Sequence, residues 1–455
     1  MNDLLQRLAY PPLTAPQTLR VLPIRRRLLY AVNHSYPFSS NGYAVRTHGV
    51  ASALVQSGVE VIAVSRPGSP WDRAGFVDAG FALEHRIDGV RYVHLPLPRL
   101  SGQALPAYTA QAVEAFAELL RVFRPQAVMA ASNWHNALPA ALAARAVGLP
   151  FFYEVRGFWE ISQASRDPGW ADSPGFAHEV AGETAVANAA QRVFTINRLM
   201  RDELVRRGVE AARVDLVPNG FPGWPDDRAL AAEGMPTRTT LGISARYVVG
   251  YVGSFNVYEG LEDLIEAVAL LRRRGVDVDL VLLGSGEPRG IGVGQAADPA
   301  AQAYRALAKQ LGIGAHVVMP GRIKPDEAAG YYALMDVVVI PRRPFAVSEI
   351  VSPMKPLEAA AHGKRVLLSD VAPLADLAQL CPNFSYFSKG SIASLTDKLG
   401  ELLAAGEFAP PRCEALETLT WGSNVRPMVA AVESLPSQSR RGQLAAGRSG
   451  AAICH

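Results

Sequence analysis

Cysteine is scarce in this chain of 455 residues: only Cys381, Cys413 and Cys454 are present. No two of them have metal-ligand spacing, and an odd count argues against a disulfide framework. A reducing, cytoplasmic setting is the expectation. A dominant charge sign is missing as well. The 45 basic and 42 acidic residues leave a net charge of +3, which argues against nucleic acid as the main partner. Long hydrophobic runs are absent, since no stretch approaches the roughly 18 apolar residues of a membrane span. Gln6 and Arg7 break the one apolar stretch near the N-terminus, so no secretory leader is expected.

What is present is an ordinary globular balance, 49% hydrophobic and 19% charged, enough to bury large cores. Arg20, Arg25, Arg26 and Arg27 form a local basic excess. They read either as a solvated arm or as a peripheral contact with anionic lipid headgroups. Beyond them, short apolar runs alternate with helix-length amphipathic stretches. Leu28–Asn33 is a predicted strand, Ser39–Tyr43 a Gly-containing loop, Arg46–Ser57 a helix and Val59–Ser65 the next strand. That order is a βαβ unit of a parallel sheet. A turn-rich stretch, Pro218–Pro225, separates two such series. The expected fold is α/β: two Rossmann-like doubly wound domains facing a cleft, with a C-terminal helix returning towards the first domain. The boundaries are an arm over 1–27, a first domain over 28–220, a linker over 221–240 and a second domain over 241–420. A crossover helix over 421–435 and a polar, disordered tail over 436–455 follow.

Ligands of such sheets lie at the carboxyl ends of the strands, so the loops there carry the chemistry. The most informative loop is Ser348–Gly363. It leads into a short helix at Pro356, a position that suits proline. A helix start offers N–H donors and a positive partial charge to a diphosphate, and Lys355 adds a full charge. Glu358, in the first turn, can accept from a ribose diol, although complementing the helix dipole would account for it alone. Glu349, on the preceding loop, can reach sugar hydroxyls.

The phrase Ser352-Pro353-Met354-Lys355-Pro356-Leu357-Glu358-Ala359 resembles the donor-site motif of glycosyltransferases with the GT-B fold, within the retaining family 4, and in particular its bacterial exopolysaccharide-type members. Val217-Pro218-Asn219-Gly220, Gly250–Phe255, Leu282–Gly286 and Pro320-Gly321-Arg322 resemble further segments of that family, so the likeness covers roughly residues 28 to 432. It implies a nucleotide-diphosphate sugar donor, UDP- or GDP-linked, and a saccharide or lipid-linked acceptor. It implies transfer with retention, in bacterial surface polysaccharide assembly, with no metal and no other cofactor. Two glutamates bracket the donor in that family, the first on the transferred sugar and the second on the ribose. Here they are Glu349 and Glu358, with eight residues between them instead of the usual seven. Donor contacts are carried over to Gly253, Ser254, Gly284, Arg322, Arg342, Pro356 and Leu357.

Two departures matter. The family commonly has Arg and Lys after the strand ending at Gly253; this chain has Ser254 and Glu259. Replacement cations are sought among Arg322, Arg342, Arg343 and Lys355, with Lys355 first. The family's catalytic His position appears here as Ala131, so His135 is either its substitute or an ordinary loop histidine. On the first domain, Asn41, Gly42 and Tyr43 follow the first strand, where Gly42 either allows the backbone to approach the donor phosphate or acceptor closely or marks a plain turn, and Asn41 and Tyr43 read as acceptor-side residues. Arg156 and Trp159 read as an acceptor platform, unless Phe158 and Trp159 simply pack under a loop. Asp277 and Asp279 have metal-site spacing but mark the start of a strand. A sugar-nucleotide epimerase of the same fold and a non-catalytic nucleotide-sugar-binding subunit are the alternatives.

Overall fold

The computed structural model describes residues 5, 6, 8, 22–39, 41–73, 76, 80–224, 235–286, 298–323, 327–406 and 413–436. The tail expected to be disordered falls outside the described residues from 437 onward.

The first sheet is built from β1 (Arg27–Val32), β2 (Glu60–Ser65), β3 (Glu84–Ile87), β4 (Val90–Val93), β5 (Ala127–Ala131), β6 (Phe151–Val155), β7 (Arg192–Thr195) and β8 (Val214–Leu216). Their order is β3-β4-β2-β1-β5-β6-β7-β8. All neighbours are parallel except β3 and β4. Central strands such as Ala127–Ala131 are buried along their whole length, as expected of a parallel sheet covered on both faces. The second sheet has β9 (Tyr247–Ser254), β10 (Val278–Ser285), β11 (Val317–Gly321), β12 (Val337–Ile340), β13 (Arg365–Ser369) and β14 (Phe384–Phe387), in the order β11-β10-β9-β12-β13-β14. The direction of winding reverses at β1/β5 in one domain and at β9/β12 in the other. Both reversals are the positions where such sheets hold ligands.

Four elements go beyond the sequence reading. β3 (Glu-His-Arg-Ile) is polar and pairs antiparallel with β4. β14 and the helix Ile392–Ala404 extend the second domain. A five-residue helix, Ala346–Ile350, replaces the loop expected around Glu349.

The chain returns to the first domain at its end. Phe221 N donates to Leu419 O at 2.8 Å, so the outgoing and returning segments lie side by side. Trp421 then wedges between two glycines: a Cβ at Gly49 would stand 2.4 Å from its ring, and one at Gly220 would stand 2.3 Å away. The helix Arg426–Glu433 buries Met428 and Val432 in the first domain's core. Two of the N-terminal arginines serve this architecture. Arg26 donates to Ser57 O at 2.6 Å and pairs with Glu433 at 3.1 Å. Arg27 holds Glu60 and Phe123 O, both at 2.7 Å. Neither is a free headgroup ligand. The arm is not wholly solvated either, because Leu8 packs into the first core. Among the described residues, no helix is long and apolar enough to cross a membrane.

Candidate active site between the domains

The donor-side site forms where β9 and β12 end. Gly253, at the end of β9, has a φ of +154°, and a Cβ there would stand 2.0 Å from the Lys355 Cε. Only glycine lets the lysine side chain cross the strand end so closely. Gly284 makes the next layer, since a Cβ on it would meet the Gly253 carbonyl at 1.7 Å. Lys355 Nζ lies 2.7 Å from Glu259 Oε1, and the Arg342 guanidinium lies 3.2 Å from the same oxygen. Glu259 is 1% exposed and Arg342 5%. One buried carboxylate therefore holds two cations, and the triad keeps a net positive charge.

The electrostatics follow from that count. Burial pushes the Glu259 carboxyl up, but Arg342 and Lys355 outweigh it and hold it at about 2. Burial lowers the Lys355 ammonium; Glu259 pulls it back up while Arg342 repels it, and it stays below its ordinary value. Such a charge is poorly solvated by protein alone and is well matched to an incoming phosphate.

Beside the triad stands Glu358. Burial raises its carboxyl, opposed by Lys355. No hydrogen bond or ion pair engages that carboxylate among the described residues. Tyr36, on the loop after β1, is pushed to about 12, first by burial and then by Glu358. The Glu358 charge is thus felt on the opposite wall of the cleft.

That wall is the loop 33–41. Asn41 caps the helix Gly42–Gln56, accepting from Ala44 N at 3.1 Å, and its Nδ2 meets His34 at 3.1 Å. His34 stacks on Tyr43, with ring centroids 5.8 Å apart. Burial lowers His34 to about 3, helped by Arg73, Arg156, Arg66 and Arg322. Arg322, from the second domain, therefore reaches this wall electrostatically. Met354 of the motif lies 3.7 Å from where a Cβ on Gly42 would stand. Residues 41–43 and the motif loop consequently face one another.

Comparison with known proteins decides the reading. Residues 41–220 match the glycosyl transferase 4-like domain, and residues 246–405 match the glycosyl transferases group 1 domain. The chain is a group 1 glycosyltransferase. It is 28% identical to D-inositol 3-phosphate glycosyltransferase 1 of Catenulispora acidiphila, over 67% of this chain and 68% of that one. It is 27% identical to a GDP-mannose-dependent alpha-(1-6)-phosphatidylinositol monomannoside mannosyltransferase of Mycolicibacterium smegmatis, over 35% and 38% of the two chains. Among solved structures, sucrose-phosphate synthase from Thermosynechococcus elongatus superposes with a TM-score of 0.64 at 19% identity, covering 93% of this chain and 99% of that one. Anabaena HepE, in complex with UDP and glucose, gives 0.58 at 15% identity, covering 93% and 100%. These structures share the GT-B fold.

Within the glycosyltransferase, several expected site residues are placed otherwise. Glu349 sits on a helix. Its carboxylate accepts from Ala372 N at 3.0 Å and from Lys389 Nζ at 2.5 Å, at the ends of β13 and β14. No hydrogen bond or ion pair joins it to Lys355, whose partner is Glu259. His135 is held by Glu179 at 2.9 Å and lies against Trp134, with ring centroids 3.8 Å apart. These contacts are internal to the first domain and orient the ring there, leaving its side chain 24% exposed and its Nδ1 without a hydrogen-bond partner. Arg156 is not a platform. It is buried, pairing with Glu154 at 2.7 Å and donating to Thr47 Oγ1 at 2.8 Å and to Tyr30 Oη. Phe158 is buried beneath the Arg207 guanidinium, 4.1 Å from its ring centre. Trp159 alone is exposed, at 44%, edge-on to Trp170. Pro356 and Leu357 turn into the second core, and their seven-residue helix is too short to supply much dipole. Ser254 Oγ accepts from Asn256 Nδ2 at 2.9 Å. Arg343 pairs with Asp263 and Glu262, at 2.7 and 3.4 Å, away from Glu259. Asp279 accepts from Ser244 N, Ala245 N and His316, and so fixes the start of its strand. No cluster of metal ligands occurs among the described residues.

Sequence reasoning missed Glu259 as the organiser of the site. Its signal was present as an acid in the position where relatives carry a cation, but Lys355 lies 96 residues away.

Proposed function

We propose that this enzyme moves a sugar with retention from a UDP- or GDP-linked donor to a saccharide or lipid-linked hydroxyl acceptor, in bacterial surface polysaccharide assembly. The observation that carries the reading is the unengaged Glu358 carboxylate beside the Lys355–Glu259–Arg342 triad. The C1–O bond to the diphosphate breaks, and its electron pair goes to the phosphate oxygen. The acceptor oxygen bonds C1 from the same face, and its proton passes to the departing phosphate. Lys355 and Arg342 stabilise the charge on that leaving group. Glu358 takes the ribose diol. Closure of the domains excludes water that would otherwise hydrolyse the donor. Relatives named for inositol 3-phosphate and phosphatidylinositol monomannoside support a small polar or lipid-borne acceptor. A lipid-borne acceptor would bring the enzyme to the inner membrane face.

The test is thermal unfolding with UDP, GDP, ADP and dTDP, beside Glu358→Ala. A nucleotide at about 100 times its Kd adds about 2.7 kcal/mol of stability. One of UDP or GDP is expected to raise the midpoint by several degrees in the wild type and much less in the variant. Equal shifts in both proteins would remove Glu358 from the donor site. Binding without turnover across many acceptors would make the protein a binding subunit.

Glu349 is proposed as the sugar-side acid. A carboxylate offers about four acceptor sites, and its two protein partners leave room for sugar hydroxyls. Glu349→Gln is expected to lower turnover about 100-fold while leaving the nucleotide-induced thermal shift unchanged. Turnover near wild type would reduce Glu349 to a brace for Lys389 and the loop after β13.

A further inference from the structure

The motif loop is gripped from the other domain. Asn197 Nδ2 donates to Ile350 O at 2.9 Å and to Ser352 Oγ at 2.7 Å. Its Oδ1 caps the helix Arg198–Arg206, accepting from Met200 N at 2.8 Å, so only the amide nitrogen faces the loop. Asn219 Nδ2 donates to Ser352 O at 2.9 Å, and its Oδ1 accepts from Arg46 at 2.9 Å. Between those two gripped carbonyls, Val351 O accepts from Arg342 at 2.7 Å. Val347 joins the first domain's core, with Phe345, Ile350 and Val351 packed around it. Behind Asn219, Arg46 is locked by Glu154 at 2.9 Å and Val217 O at 2.7 Å. An unbroken chain of contacts therefore runs from Arg46 through Asn219, the backbone of Ser352 and Val351, and Arg342 to Glu259 and Lys355.

We propose that Asn219 is a positioning residue that sets Arg342 and Lys355 for the donor's terminal phosphate only when the two domains are docked. This rests on the reading that those cations meet the donor diphosphate. The physical link is the backbone between residues 350 and 352. Two domain-bridging amides hold its outer carbonyls, which fixes the direction of the middle carbonyl that Arg342 uses. If Asn219 lets go, Arg342 loses its fixed acceptor and the shared Glu259 oxygen is redistributed between the cations. Docking of the acceptor domain and strength of the phosphate site are then two sides of one equilibrium.

Asn219→Asp separates this role from a structural one. The aspartate keeps, and strengthens, the contact with Arg46. It loses the N–H for Ser352 O and sets a carboxylate oxygen against that carbonyl. Asn197→Asp does the same at the other grip, while keeping the helix cap. The measurement is the affinity of each protein for UDP and UMP, and for GDP and GMP, by calorimetric titration, with thermal midpoints alongside. The monophosphates lack the phosphate that the cations meet. In both variants the diphosphate's advantage over the monophosphate is expected to fall about tenfold, with the monophosphate Kd unchanged and the fold intact. An unchanged ratio in folded variants overturns the inference and leaves the donor reading standing. An Asn219→Asp protein that does not fold makes the residue structural and also overturns it. A wild type that binds neither diphosphate defeats the donor reading itself, and this inference with it.

Discussion

Replacing Lys355 by alanine is expected to lower kcat by about 100- to 1,000-fold, the effect of removing one preorganised donor to a developing anion, or about 2.7–4 kcal/mol. The charge on the leaving phosphate grows as the C1–O bond breaks, so the loss falls mainly on the chemical step. Glu259 retains Arg342 in the variant, and the domain keeps its buried ion pair. Lys355→Arg is expected to restore little. The lysine reaches Glu259 by passing within 2.0 Å of the place a Gly253 Cβ would occupy, and a planar guanidinium does not fit that passage as an ammonium stem does. Gly253→Ala approaches the same defect from the other side and is expected to match Lys355→Ala. Steady-state kinetics with the donor identified by nucleotide binding would check this. A Lys355→Ala enzyme within about threefold of wild type would move the phosphate role to Arg342 or Arg322 and dissolve the proposed mechanism.

The sequence was most legible where backbone and side-chain periodicity act locally. Leu28–Asn33 and Val59–Ser65 form strands within one residue of the bounds expected of them, as Arg27–Val32 and Glu60–Ser65, because each is a short, mainly apolar run beside turn formers. Glu84–Ile87 escaped because this four-residue edge strand half-buries only His85 and Ile87, too short and too polar an alternation to read. The short helix Ala346–Ile350 escaped for a different reason: it is held by packing on the other domain, and five residues have no helical stability of their own. In the site, Lys355 and Glu358 were legible as a motif. The sense of Arg156 and Glu154 was not. Their charges look like a surface platform until β1 and the helix Gly42–Gln56 close over them, adding Tyr30 and Arg46. Glu259 belongs with these. A carboxylate in place of a family cation looks like a loss until the cations that answer it fold against it.

Glu259→Gln should be the most destabilising conservative change in the donor domain. The amide keeps the shape and leaves Lys355 and Arg342 buried together with no anion. Breaking a buried pair by neutralising one partner costs about 3–5 kcal/mol, seen as a lower midpoint for the donor-domain transition. The pH dependence identifies the cause. The wild-type carboxyl is held at about 2 against an ordinary value of 4.5. Its contribution is therefore complete above about 4.5 and is lost as the pH falls towards 2. The gap between wild type and Glu259→Gln should be constant from about pH 7 to pH 5 and close steadily below that. Other carboxylates titrate in the same range, but they are common to both proteins and cancel in the difference. A gap that stays constant down to pH 3 would mean the loss comes from shape, not charge. A second comparison separates the two cations. In a Lys355→Met background, Glu259→Gln strands only Arg342, so its cost should shrink by roughly 1–3 kcal/mol. Full additivity would show that Lys355 and Glu259 do not interact energetically, however close they lie.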